Sequence, residues 1–246
     1  MLNSNLFAQK KFEGYWETET VTKTSTKFTG TQTEVEHEKI YYKAGKMKQV
    51  NLDDNTISII RLDKGLTWTL NPEDKTYMEI RFEDVEKNMK AIRGEMAQKM
   101  NQLSDEEKEM MKKMMGDKFN SMFGSEEMPT VSFKVTGKKK TINGYKCKQV
   151  IFMLNNAPLM EIWMTNKYNF GYDMLKIYQK TGLIKGKIPN DKELQGFAIY
   201  TKIEMNMGLG SSLSESTVKK VVPMKISDKE FEIPAGYQKI AGPQPF

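Results

Sequence analysis

Through the first third of this chain, turn-forming residues recur every ~8–12 positions, and the stretches between them alternate apolar with polar. No other feature restricts the fold as much. A short alternating stretch lines one face with apolar side chains and leaves its backbone groups to be paired by neighbours. A Thr-rich extended segment fills residues 12–29. Residues 35–43 turn at Ala44-Gly45 into 46–52, and Asp53-Asp54-Asn55 leads into 56–62. Asp63-Lys64-Gly65 then leads into 66–70, and Asn71-Pro72-Glu73-Asp74 into 75–81. This is the pattern of an antiparallel meander. Leu66, Trp68 and Leu70 share one face of their strand, opposite Thr67 and Thr69, while Met78 and Ile80 alternate with Tyr77 and Glu79 on the next. An apolar face of this kind requires a cover.

The cover expected from the sequence is a helical pair at 82–123. Phe82, Val85, Met89, Ile92, Met96, Met100 and Leu103 step by threes and fours, which is one face of a helix. Ser104-Asp105-Glu106-Glu107 has the capping-box spacing and opens a second helix. Its apolar face is Met110, Met111, Met114, Met115, Phe119, Met122 and Phe123. Residues 124–129 read as a loop, after which the β pattern resumes. Residues 131–136 continue through Gly137 and three lysines to Ile142, and Asn143-Gly144 is a hairpin turn leading into 145–154. Ala157-Pro158 precedes a strand at 159–165, and a helix is expected near 172–180. The strand at 197–207 has Phe197, Ile199, Ile203, Met205 and Met207 on one side. Residues 208–214 read as a break before a last strand at 215–222. With no repeat and no long linker, the expected organisation is one domain over 10–240, an N-terminal segment 1–9 and a tail 241–246.

The catalytic templates find no match. His37 is the only histidine and Cys147 the only cysteine among 246 residues, which removes disulfides, thiolate clusters and most acid–base systems. No G-x-S-x-G elbow is present. The glycines at 208–210 lack the third glycine of a dinucleotide loop, 182–187 lacks the Ser or Thr of a phosphate loop, and Asp53-Asp54-Asn55 lacks the rest of an EF-hand. The expectation is therefore a non-enzyme without a cofactor. Lys plus Arg exceed Asp plus Glu by 38 − 32 = 6, a thinly spread excess read as a solvated basic surface rather than a nucleic-acid footprint. The Lys138-Lys139-Lys140 hairpin end, next to Tyr145, could touch phosphate but is read as a solubilising edge. Nineteen methionines have three readings. They fill irregular core gaps, they form an adaptable surface for hydrophobic ligands, or Met111 (or Met110) with Met114 one turn on supplies thioethers to Cu(I).

Three segments carry a resemblance: Val-Thr-Gly-Lys-Lys-Lys-Thr-Ile-Asn-Gly-Tyr-Lys-Cys at 135–147, Met-Glu-Ile-Trp-Met-Thr at 160–165, and Phe-Glu-Ile-Pro-Ala-Gly-Tyr at 231–237. In this order they resemble an uncharacterised, exported bacterial family, a domain of unknown function related to the LolA/LolB-like lipoprotein carriers. The resemblance implies a mainly β (α+β) fold: a single curved antiparallel sheet, or half-barrel, covered on its concave face by helices. It also implies a periplasmic or otherwise extracytoplasmic location, with which Leu6-Phe7-Ala8-Gln9 agrees as the tail of a secretory signal. No catalytic residues come with it. The expected function is binding of a hydrophobic or lipid-like ligand between sheet and helical lid, with an acyl chain as ligand and a membrane surface or lipoprotein as contact. The expected lining is Leu66, Trp68, Leu70, Met78, Ile80, Ile199 and Ile203 from the sheet, and Met89, Met96, Met100, Met111 and Met114 from the lid. Trp163 joins them if its strand parity turns it inward. The long Met-rich pair departs from the carriers, whose own ligand is therefore not transferred. A structural module with a filled core and the Cu(I) reading stand as alternatives, and the chain is expected to be a monomer that binds no nucleic acid.

Overall fold

The computed structural model describes residues 11–26, 30–115, 131–154, 156–168, 194, 196–207 and 210–241. In chain order the strands are β1 (Glu13–Thr26), β2 (Gly30–Lys43), β3 (Lys46–Asn51), β4 (Ile57–Arg61), β5 (Leu66–Asn71) and β6 (Thr76–Arg81). Helices α1 (Phe82–Gln102) and α2 (Asp105–Met115) follow. Then come β7 (Val131–Ile142), β8 (Tyr145–Leu154), β9 (Ala157–Thr165), β10 (Phe197–Met207), β11 (Gly210–Pro223) and the two-residue β12 (Gln238–Lys239). All of these strands form one open sheet in the order β12-β6-β5-β4-β3-β2-β1-β11-β10-β9-β8-β7. Neighbours run antiparallel except β12, which lies parallel to β6.

Turn chemistry sets most of the strand boundaries. Ala44-Gly45 and Asn143-Gly144 each place two residues at positive φ (45° and 80°, 47° and 78°), the backbone a tight hairpin requires. Over 210–214, the described part of the break expected at 208–214, the chain is instead strand: β11 starts at Gly210 and pairs along β1 as far as Thr26. Gly210 permits a close approach there, since a Cβ at this position would lie 2.5 Å from the Ser25 carbonyl oxygen. Ser214, which read as loop, instead joins a hydroxyl ladder, with Thr22 Oγ1 donating to Ser214 (3.2 Å) and Thr20 Oγ1 to Ser216 (3.0 Å).

The two halves of the sheet differ in regularity. From β2 to β6 the register is unbroken. From β1 to β7 it shifts at Glu17/Thr18, Ala198/Tyr200, Phe152/Met153 and Val135/Lys139. Such bulges bend a strand and increase its twist. Asn143, at the β7–β8 turn, donates to the Val218 carbonyl of β11 at 2.9 Å. In a flat sheet β8 and β11 would stand three strand spacings, roughly 14 Å, apart, so this end curls back over the sheet.

Two hydrophobic clusters result. The first is built around Phe12, Trp16, Tyr42, Trp163, Phe197 and Ile199, with the Trp16 and Phe197 rings edge to face at 5.3 Å. The second unites Ile59, Leu66, Trp68 and Leu70 with Ile226 and Phe231 from the C-terminal segment.

Helices α1 and α2 fall within the span 82–123 expected to be helical. Phe82 is buried, and its N–H donates to the Gly65 carbonyl (2.9 Å), tying α1 to the β4–β5 turn. Ser104 Oγ accepts from the Glu107 N–H (3.2 Å), and Glu107 accepts from the Ser104 N–H (2.8 Å), completing the capping box at α2. The expected cover is a different matter. Among the described residues the apolar face carrying Leu66, Trp68 and Leu70 packs against Ile226, Phe231, Ile233 and Tyr237 of the C-terminal segment, and a helical cover over it is not supported. The expected helix near 172–180, residues 116–123 of the second helix, the loop at 124–129 and segment 1–9 lie outside the described residues.

Candidate functional site

The register of β4, β5 and β6 decides which side chains share a surface. Leu66 pairs with Arg61 and Arg81, Trp68 with Ile59 and Glu79, and Leu70 with Ile57 and Tyr77. Directly paired residues of an antiparallel sheet project to the same side, so these residues form one face. Thr67 pairs with Ile60 and Ile80, and Thr69 with Ser58 and Met78, so Met78 and Ile80 lie on the opposite face. The lining expected from the sequence is thus split between two surfaces. Alternation within a strand sorts its own residues but does not say which set on one strand faces which set on the next.

The first face is sealed by the C-terminal segment, held like a strap. The Glu13 carboxylate accepts from the Ile226 N–H (2.9 Å), and Lys43 donates to the Ile226 carbonyl (2.8 Å). Ser227 caps the 3-10 turn Asp228–Phe231, which sets Phe231 into the core with no exposed surface. Lys46 pairs with Asp228 (2.9 Å), Lys48 with Glu230 (3.1 Å) and Lys64 with Glu232 (3.0 Å). Arg61, itself buried, forks onto Asp63 (2.8 and 2.6 Å) and also binds Glu232 and the Phe231 carbonyl. β12 then pairs with β6, and Lys239 reaches Glu79 (3.1 Å).

Ionisation follows these contacts. The Arg61 hydrogen bonds hold Asp63 below the usual carboxylate range, and the Ile226 N–H does the same for Glu13. Glu79 is lowered by the Trp68 indole N–H and by Lys239. Hydrogen bonds from Lys46 and Lys43 lower Asp228. Burial pushes Glu232 upward, but Arg61 and Lys64 outweigh it and the net shift is down.

The second face is more open over β4 to β6. Ile60, Thr67, Thr69 and Met78 are half-buried and Ile80 is 38% exposed. Along the strands this face continues through Met47 and Tyr42 to Trp16 and the aromatic cluster. Trp163 and Ile199 are members of that cluster, and Ile203 is half-buried beside Ser214 and Met160. Met100 is half-buried, whereas the side chains of Met89, Met96, Met111 and Met114 lie outside those described, and with them the pair on which the copper reading rests. Met110 is exposed. Among the described residues no group of three or more His, Cys, Asp or Glu is placed to hold a metal ion.

His37 is exposed, with its N–H (2.7 Å) and ring facing Asp53. Cys147 is buried; burial pushes its thiol pKa upward, and the thiol donates to the Tyr145 carbonyl (3.4 Å). Sequence reasoning misses the strap, although a signal for it exists. Asp228, Glu230 and Glu232 at every second position match Lys46 and Lys48, also two apart, with Arg61 and Lys64 beyond them.

Residues 87–237 match the family model DUF4412, a domain of unknown function. The chain belongs to this family. No curated protein matches it. Among solved structures, this DUF4412 protein is similar to an uncharacterized conserved protein from Thermus thermophilus, at 7% identity over 92% of this chain and 91% of that one, with a TM-score of 0.45. It is also similar to a LolA superfamily protein from Nitrosomonas europaea (7% identity, 90% and 92% covered, TM-score 0.31). A DUF1329 family protein from Desulfovibrio piger shows 10% identity over 89% and 90%, with a TM-score of 0.33. At these identities and scores the likeness carries nothing about a shared ligand.

Proposed function

We propose that this DUF4412 chain is a non-enzymatic, extracytoplasmic carrier or sensor that holds a hydrophobic, lipid-like molecule on the sheet face bearing Ile60, Met78 and Ile80. The observation that carries this reading is the asymmetry of β4 to β6. One apolar face is closed by the chain's own C-terminal strap, while the other keeps Ile80 38% exposed. The Met-rich helices start where β6 ends, so the chain's most adaptable side chains begin at the border of the open face. In this reading they form the second, movable wall of the ligand space, with Met89, Met96, Met100, Met111 and Met114 as its apolar contacts. An acyl chain gains ~0.8 kcal/mol per buried CH₂, so it needs no specific polar partner. The protein acts as a monomer that exchanges its ligand at a membrane surface or with a lipoprotein.

Native mass spectrometry of the protein purified from cells, followed by titration with a fluorescent fatty acid, tests the reading. The expected result is co-purifying lipid and saturable binding, weakened about tenfold by Met78→Ser with Ile80→Ser. A loss of two apolar contacts of about 0.7 kcal/mol each corresponds to that factor. Recovery without lipid, together with no fatty-acid binding, overturns it in favour of a module whose core is simply filled.

A further inference from the structure

A second feature lies at the other end of the sheet and owes nothing to the hydrophobic-ligand reading. The β7–β8 hairpin and the end of β9 enclose a cleft of ≈ 780 Å³, lined by Lys139, Lys140, Lys146, Lys148 and Lys167. Among the described residues no acidic side chain lines it. The strands beneath it carry Cys147 and Thr165, both buried, whose side chains face the aromatic cluster on the other side.

The arrangement is electrostatically costly for the protein alone. Lys139 sits directly opposite Lys148 across the β7–β8 ladder, and like charges facing each other destabilise a sheet. Among the described residues no carboxylate forms an ion pair with any of the five lysines, although Lys43, Lys46, Lys48, Lys64, Lys219, Lys220, Lys225 and Lys239 all have such partners. Glu161, whose charge Lys140 senses, is occupied by the Trp163 indole N–H.

Lys139, Lys146 and Lys148 share one side of these strands, whereas Lys140, paired with Cys147, and Lys167 turn to the aromatic side. Lys140 lies over the Trp163 ring at 4.1 Å and over Tyr200 at 5.0 Å, and Lys167 lies over Tyr145 at 5.1 Å. Cation–π contacts of this kind fix a flexible side chain without neutralising it. The bulge between Val135 and Lys139, with Gly137 at φ 78°, breaks the β7 alternation just before the lysines, and bulges re-aim the side chains that follow them.

From this geometry we propose that the cleft side bearing Lys139, Lys146 and Lys148 binds a phosphate group borne by a small anionic ligand. A phospholipid headgroup and a soluble phosphate ester share that chemistry, and the cleft volume admits a phosphate with a glycerol-sized substituent. The point charges of lysine suit a phosphate contacted from several sides without bidentate geometry.

The test uses the full chain and two double variants that remove the same charge: Lys139→Gln with Lys148→Gln in the cleft, and Lys219→Gln with Lys220→Gln on β11 as control. Calorimetry with glycerol 1-phosphate reads the soluble source. Flotation with phosphatidylglycerol-containing vesicles against pure phosphatidylcholine vesicles reads the headgroup. The cleft variant is expected to bind about ten- to thirtyfold more weakly, from ~1 kcal/mol per lysine near an anionic surface, while the control changes less than about threefold. Binding in the calorimeter alone assigns a soluble ester, and binding to the anionic vesicles alone assigns a headgroup. Equal weakening in both variants overturns the proposal in favour of general attraction to a basic protein. Absence of binding to every probe overturns it as well. Since the cleft variant relieves a Lys–Lys opposition, its unfolding midpoint should be unchanged or higher, which separates lost binding from lost folding.

Discussion

Lysines at the two ends of this one sheet meet opposite fates. On the strap side, Lys46, Lys48, Lys64 and Lys239 each find a carboxylate within 3.1 Å, and the face beneath is closed. In the β7–β9 cleft, Lys139, Lys146 and Lys148 share a side with no acidic residue among the described lining. The strap side is internally neutralised, so its charges serve folding and locate the C-terminal segment. Among the described residues no carboxylate pairs with the cleft lysines. The same residue type is structural where a carboxylate answers it, and available to a ligand where none does.

The largest way to break that comparison is Phe231→Ala. A fully buried aromatic at the centre of the second cluster should cost about 3–5 kcal/mol in urea unfolding, and protease cleavage within 224–240 should accelerate. An effect below about 1 kcal/mol would show that the strap merely lies on the sheet. Next comes Arg61→Leu, expected to destabilise by roughly 2 kcal/mol. It removes a buried fork from Asp63 and Glu232, whose side chains are 44% and 46% exposed and so remain partly solvated.

Acid separates the two ends without mutation. Glu13, Asp63, Glu79, Asp228 and Glu232 all titrate below their ordinary values. Their contribution is present above the unfolded carboxylate range and is lost as pH falls through the lowered values, below about pH 4. Urea midpoints should therefore drop between about pH 5 and about pH 3, with strap proteolysis rising in parallel. A flat midpoint over this interval removes the carboxylates from the strap's stability. The smallest expected effect is on the exposed charges. Lys48→Gln should cost about 0–1 kcal/mol by losing its pair with Glu230, whereas Lys139→Gln should be neutral or slightly stabilising. A destabilising Lys139→Gln would mean that the cleft lysines are structural.

Local chemistry is legible in the sequence. The Ser104–Glu107 capping box, the Asn143-Gly144 turn and the strands from 46 to 81 follow from short-range rules, and the structure has them at those places. Gly210 is ambiguous by the same rules, because glycine marks a break and a close backbone approach alike, and only the presence of β1 beside it decides between them. The expected lining fails to stay together for a related reason. Leu66, Trp68 and Leu70 alternate as cleanly as Met78 and Ile80, but nothing in either strand says how the two rows meet.

What the sequence by itself determined is which residues share a face within each strand and helix, because side-chain direction repeats with the backbone period and needs no partner. Which face of β4 to β6 is closed, and by what, was decided only in three dimensions. Arg61 and Phe231 are separated by 170 positions. Such contacts form only when the sheet has brought its two ends of chain together, so no local period encodes them. The cleft was settled the same way. Lys138-Lys139-Lys140 is visible as a basic run, but the placing of Lys139 opposite Lys148, with Lys146 on the same side, depends on the pairing of β7 with β8.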